Sequence, residues 1–219
     1  MADAEEIYGE IYASDHWQGG SGPGSTADAS AAYRRIVQRL LASVEIRRVL
    51  DVGCGDWQVG SLLDWTGIDY TGVDVVGPVI AADRDRFGAA NLHFEVADAR
   101  TGSLPPADLL LIKDVLQHWP NADVQRFLSE TLPRYRYALI TNDIASTHFT
   151  GQLNQDIEMG SWRTLDLQAP PFGLAARAHW DYDIRGEWTK QVLLVSNTGR
   201  WRFAEAIPRS VRRIARSIA

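Results

Sequence analysis

Between residues 47 and 143 the chain alternates short apolar runs with segments of helical spacing, and this constrains its fold more than any other feature. The runs are RRVLDV (47–52), DYTGVDVV (69–76), LHFEVAD (92–98), ADLLLIKD (107–114) and YALITND (137–143). Between them WQVGSLLDW (57–65), PVIAADRDRFG (78–88, stopped by Gly88) and ADVQRFLSETLPRY (122–135, behind Pro120) read as helices. Strands alternating with helices predict an α/β, doubly wound, mostly parallel sheet. The unbroken LLLI stretch predicts a strand covered on both faces. Two later runs, RAHWDYDI (177–184) and KQVLLVSN (190–197), read as a hairpin around Gly186. The expected sheet is therefore seven-stranded with an antiparallel last strand.

A helix is expected through residues 27–44, capped by Ser25 or Thr26, with Tyr33, Ile36, Leu40, Leu41 and Val44 at helical spacing. Residues 1–25 read as an irregular segment or lid. Residues 26–199 read as one domain, and residues 200–219 as a basic helix or tail. Residues 144–174 show no clear helix, as expected of a lid or substrate loop.

The 219 residues carry a net charge of −6, and an acidic body argues against broad nucleic-acid binding. Six arginines follow residue 199 against the single acid Glu205. A helix there could lie on an anionic membrane surface through Val211, Ile214 and Ile218, dock on the body, or fray. Arginine outnumbers lysine twenty to two, which reads as a compositional bias. Cys54 is the only cysteine, so no internal disulfide or cysteine-rich metal site forms, and a reducing, cytoplasmic compartment is expected. The acidic N-terminus does not resemble a signal peptide, and no apolar run approaches the roughly 18 residues of a membrane span.

Two glycine loops compete for a ligand: GGSGPGST (19–26) and VLDVGCGDW (49–57). Gly53-Cys54-Gly55 follows a strand and is expected to open a helix, where backbone N–H groups meet a ligand. The first loop has no strand before it, and Pro23 lacks an amide donor, so it reads as a gate or helix lead-in. A dinucleotide site needs a third glycine where Gln58 stands, and the Gly-Lys-Ser/Thr of a P-loop is absent. Asp51, two residues before the first glycine, would repel a pyrophosphate and suit a ligand with an ammonium group.

VLDVGCGDW resembles the first motif of class I S-adenosylmethionine-dependent methyltransferases, a Rossmann-like superfamily. Trp57 takes the place of the third glycine and is expected to add an aromatic wall. Asp74, followed by Val75, matches the acid that holds the ribose hydroxyls. Asp98, followed by Ala99, matches the acid at the adenine amino group, although Arg100 could pair with it instead. Lys113 lies in the fourth motif, ADLLLIKDVLQHW. The resemblance spans residues 45–145 and implies S-adenosyl-L-methionine as cofactor, held by Asp51, Gly53, Cys54, Gly55, Trp57, Asp74, Val75, Asp98, Ala99 and Lys113. Asp51 would act on the methionine ammonium or by ordering the loop.

Such an enzyme would methylate a small-molecule acceptor, with oxygen first choice and nitrogen second: a sugar, glycan precursor or secondary metabolite. His118 is the candidate base, oriented by Asp114 if the two share a helical turn; the alternative is a packing histidine. Asp143 is the runner-up base. His148, Asn154, Asp156 and Arg163 could contact the acceptor, Trp17 and Trp162 could line its pocket, and His16 and Trp17 could close over it. Pro170-Pro171-Phe172 reads as a turn into the sixth strand rather than a nucleic-acid methylase motif. A non-catalytic binding subunit is the competing reading, and a nicotinamide oxidoreductase is disfavoured by Asp51 and Gln58.

Overall fold

The computed structural model describes residues 4–197. Seven strands form one sheet: β1 (Arg48–Val52), β2 (Asp69–Asp74), β3 (Leu92–Val96), β4 (Leu109–Lys113), β5 (Tyr137–Ser146), β6 (Ala178–Ile184) and β7 (Trp188–Ser196). Their order is β3-β2-β1-β4-β5-β7-β6. The first five are mutually parallel, and β7 runs antiparallel to both its neighbours. This is the expected sheet. Leu109 to Ile112 of β4 are all buried, which places that strand at the centre.

Each face of the sheet carries its own core. On one face α2 (Ala31–Ser43) presents Tyr33, Val37 and Leu40, one helical stripe, to Leu109, Leu111 and Leu139, and α3 (Gly77–Phe87) adds Ile80. On the other, α4 (Asn121–Arg126) and the turns that follow it set Val124, Phe127 and Leu132 on Leu110, Ile112 and Ile140. Burial of each such side chain contributes roughly 1.5–3 kcal/mol. The chain leaves β1 for β2 and β3, then returns to lay β4 on the other side of β1. Strand order reverses there, so a crevice opens at the carboxyl ends of β1 and β4.

Three local expectations fail. The segment before residue 25 contains a helix, α1 (Ala4–Ala13), whose Ala4 and Tyr8 are buried against Val76. Helix α2 begins four residues later than expected. Thr26 Oγ1 accepts the Ala29 N–H in a separate turn, and Ser30 spends its hydroxyl on the Thr26 carbonyl instead of capping. WQVGSLLDW forms only a single turn of 3-10 helix, Gly60–Leu62. Trp57 stands at φ 54° and drives its indole into the core against Phe87, Phe94 and Tyr70. Trp65 Nε1 then takes the Gly60 carbonyl at 2.9 Å. Pro170-Pro171-Phe172 does form a turn ahead of β6. The basic helix expected over residues 200–219, and its membrane contact, lie outside the described residues. No helix among the described residues is long and apolar enough to cross a membrane.

Candidate active site

A cavity of about 450 Å³ runs along the carboxyl edge of the sheet. One half lies over β1, β2 and β3, where it meets Asp51, Gly53, Cys54, Asp74, Val75, Asp98 and Ala99. The other half lies over β4, β5 and β7, where it meets Lys113, Asp114, His118, Asp143 and Lys190. Helix α1 and the loop after it close the top through Tyr8, Tyr12, His16, Trp17 and Gly22.

The three acids differ in their partners. Asp51 Oδ2 accepts the Tyr70 hydroxyl at 2.8 Å, and burial pushes its carboxyl up to about 7. Asp74 accepts the backbone N–H groups of Gly55 and Val76, each at 3.1 Å, and burial raises it as well. Asp98 is held by Arg100 through Nε at 3.0 Å and Nη2 at 2.6 Å, and Asp123 lies 3.6 Å from the same guanidinium.

The glycine loop works differently from the expectation. No helix follows it, and its amides are committed: Gly53 and Cys54 donate to the Val73 carbonyl, Gly55 to Asp74, and Asp56 to Ser21 Oγ. Its glycines serve close approach instead. A Cβ on Gly53 would meet Val115 at 2.3 Å, and one on Gly55 would meet Ser21 Oγ at 2.1 Å. The GGSGPGST loop packs directly on this one. Ser21 Oγ donates to Asp56 Oδ1 at 2.6 Å, and Gln58 Nε2 donates to the Gly19 carbonyl at 2.9 Å. Both glycine loops therefore build one cavity wall, and Gly55 acts by holding Asp74 rather than by lining the cavity. Trp57 is a core residue and does not line the cavity, which corrects its assignment to the cofactor.

Four buried charges meet beneath Gly24. Lys113 Nζ donates to Asp114 Oδ2 at 2.6 Å and to the Gly24 carbonyl at 3.1 Å. Lys190 Nζ lies 2.9 Å from Asp114 Oδ1 and 2.7 Å from Asp143 Oδ1. Burial opposes ionisation of Asp114, but Lys113 and Lys190 overcome it and hold the carboxyl down at about 2. Burial also opposes the charge on Lys190, yet Asp114 and Asp143 raise its pKa above the usual lysine value. Asp143 is further locked by Gln117, whose Nε2 donates to Oδ2 at 3.1 Å and whose Oε1 accepts the Asp143 N–H at 2.8 Å. Trp162 Nε1 lies 3.4 Å from the same Oδ2.

The expected Asp114–His118 pair does not form. Asp114 turns away at φ 60° toward the lysines, and only a 3-10 turn, Leu116–His118, separates it from the histidine. His118 is oriented by the Ser161 carbonyl, 2.9 Å from Nδ1. A carbonyl only accepts, so Nδ1 carries the proton and Nε2 keeps its lone pair. Burial lowers the imidazole to about 4, which keeps it neutral at pH 7. Trp17 packs on its ring at 5.5 Å.

Trp162 and His148 line the cavity. Asn154, Asp156 and Arg163 do not; they build the segment between β5 and β6. Asn154 bonds to the backbone of Asp166 and Pro170, and Asp156 accepts the N–H of Asn121 at the start of α4. Arg163 is fully buried and donates to the carbonyls of Gln117 and Trp119, and so braces the turn that carries His118. Sequence reasoning missed Lys190, Gln117 and Tyr12. The scarcity of lysine was the available signal for the first.

Residues 49–134 match the family model described as a methyltransferase domain. Together with the strand order and the three acids at successive strand ends, this match supports the class I S-adenosylmethionine-dependent methyltransferase superfamily. A search of curated proteins yields no match. Among solved structures, the chain is similar to magnesium protoporphyrin IX methyltransferase from Synechocystis PCC 6803 with bound S-adenosylhomocysteine. The TM-score is 0.62 at 14% identity, covering 90% of this chain and 100% of that one. It is similar to the N-methyltransferase NodS from Bradyrhizobium japonicum WM9, with TM-score 0.62, 12% identity and coverage of 90% and 99%. A Leishmania major methyltransferase gives TM-score 0.64, 15% identity and coverage of 89% and 87%. At these identities the likeness is one of fold.

Proposed function

We propose that the protein transfers a methyl group from S-adenosylmethionine to a small-molecule acceptor, with oxygen favoured over nitrogen. The observation that carries this reading is one cavity joining the Asp51–Asp74–Asp98 edge to a neutral histidine with a free Nε2. The residues fit the cofactor. Burial outweighs the help that Tyr70 and Lys113 give the Asp51 carboxylate, and the methionine ammonium would supply a cationic partner within ion-pair reach. Each Asp74 oxygen accepts one backbone N–H and retains a lone pair for a ribose hydroxyl. Asp98 would meet the adenine amino group while paired to Arg100.

When bound, the cofactor supplies an activated methyl group; the chain's residues orient, enclose and deprotonate. Trp17 and the 19–26 loop exclude water from above. The acceptor oxygen becomes strongly acidic as its bond to carbon forms, so a weak base such as His118 suffices, with the proton passing to Nε2 late in the step. Asp143 is the poorer base because Lys190, Gln117 and Trp162 already engage it.

Calorimetric titration with S-adenosylhomocysteine tests the reading. Asp74→Ala should weaken binding by roughly 10- to 100-fold, the value of a charge-assisted hydrogen bond of about 1.5–3 kcal/mol. Absence of binding by the wild type would refute the proposal.

A further inference from the structure

We propose, resting on the reading above, that the acceptor half of the cavity takes an uncharged molecule built on a flat aromatic ring that bears the hydroxyl to be methylated. Acceptors carrying a carboxylate or phosphate are excluded.

The walls supply the shape. Trp17, Trp162 and Trp188 line this half together with His118, His148 and Asp143. The rings are held by neighbours: Trp17 against His118 at 5.5 Å, Trp188 against His148 at 4.9 Å, and Phe149 edge-on to Trp162 at 5.4 Å. Braced aromatic faces favour a planar ring, because stacking contributes beyond the area it buries.

The charges supply the exclusion. Among the described residues, three arginines or lysines line the whole cavity, and each is engaged. Arg100 pairs with Asp98, Lys113 with Asp114, and Lys190 with Asp114 and Asp143. An anionic acceptor would have to break one of these pairs and strand a buried carboxylate. A polyol fits poorly for a related reason. It needs many polar partners, yet Asp143 Oδ2 is already shared by Gln117 and Trp162, Oδ1 accepts from Lys190, and the Trp162 N–H is spent on Oδ2.

The test uses the full chain loaded with S-adenosylhomocysteine and four probes: 3-hydroxybenzamide, 3-hydroxybenzoate, phenyl phosphate and methyl β-D-glucoside. Affinities are read by saturation-transfer NMR titration. The neutral phenol should bind at least about tenfold more tightly than either anion or the glucoside. Trp162→Leu and Trp188→Leu should each weaken it severalfold, while S-adenosylhomocysteine affinity, which also reports folding, stays unchanged. Equal or tighter binding of an anion, preference for the glucoside, or no binding of any probe by the loaded protein overturns the proposal. Wild-type protein that does not take up S-adenosylhomocysteine overturns the underlying reading instead, and this one with it.

Discussion

Asp51→Asn separates the cost of the site from its use. Asp51 is held near pH 7 by burial, against an ordinary value of 3.8. The folded protein thus keeps a proton on this group between about pH 4 and 7, where the unfolded chain has lost it. The folded state binds more protons over that window, so stability without ligand falls as pH rises through it and stays low above 7. About three pK units correspond to roughly 4 kcal/mol, reduced toward 2 by water in the cavity. Asparagine removes the charge and still accepts the Tyr70 hydroxyl. The variant should therefore be more stable than wild type at pH 8 by roughly 2–4 kcal/mol, or about 5–15 °C for a chain of this size. The difference should vanish near pH 4. Thermal unfolding at both pH values, without ligand, measures it; S-adenosylhomocysteine titration of the same protein should show lost affinity. A variant that is less stable at pH 8, or a difference independent of pH, would refute the argument.

Two further perturbations follow from the geometry. His118→Gln keeps a polar side chain but removes the proton acceptor, so turnover should fall by about 10²–10⁴-fold with cofactor affinity unchanged; equal losses in both would mark a packing role. Gly55→Ala places a methyl 2.1 Å from Ser21 Oγ at a residue with φ 57°. The 19–22 loop should lift from the glycine loop, read as faster hydrogen exchange over residues 4–22 together with weaker cofactor binding.

The sheet was legible because its strands are short, apolar and separated by turn residues, and because β4 is apolar throughout. The acids at the ends of β1, β2 and β3 were legible because each sits at a fixed place relative to its strand. The helix after the glycine loop was misread because Gly60 and the tryptophans of WQVGSLLDW obey packing rather than spacing: Trp57 needs a left-handed turn to reach the core. Helix α1 lies in a segment that reads as irregular, although Ile7, Tyr8, Ile11 and Tyr12 recur there at helical spacing. The Asp114–His118 pair failed because two lysines draw Asp114 away, Lys113 beside it in sequence and a second that is not. The second, Lys190, arrives from a strand 76 positions later, and only the order of β4, β5 and β7 brings it beside Asp114.

That lysine gives the bias in composition a physical meaning. Of twenty arginines only Arg100 is among the described residues that line this cavity, whereas both lysines stand in it. The place for Lys190 is small. Its Nζ lies within 3 Å of two carboxylates, and a Cβ on Gly24 would stand 3.4 Å from it. A compact ammonium fits between two acids under a glycine; a planar guanidinium with fixed donor directions does not. Lys190→Met should therefore destabilise by about 3–5 kcal/mol in urea denaturation, since it strands Asp143 and half-strands Asp114. Lys190→Arg should recover much of that stability because the charge returns. It should still bind S-adenosylhomocysteine more weakly than wild type, because the larger head displaces the loop at Gly24 that roofs the cavity. An arginine variant with wild-type affinity would show that charge alone matters at this position, and that the scarcity of lysine carries no information about the site.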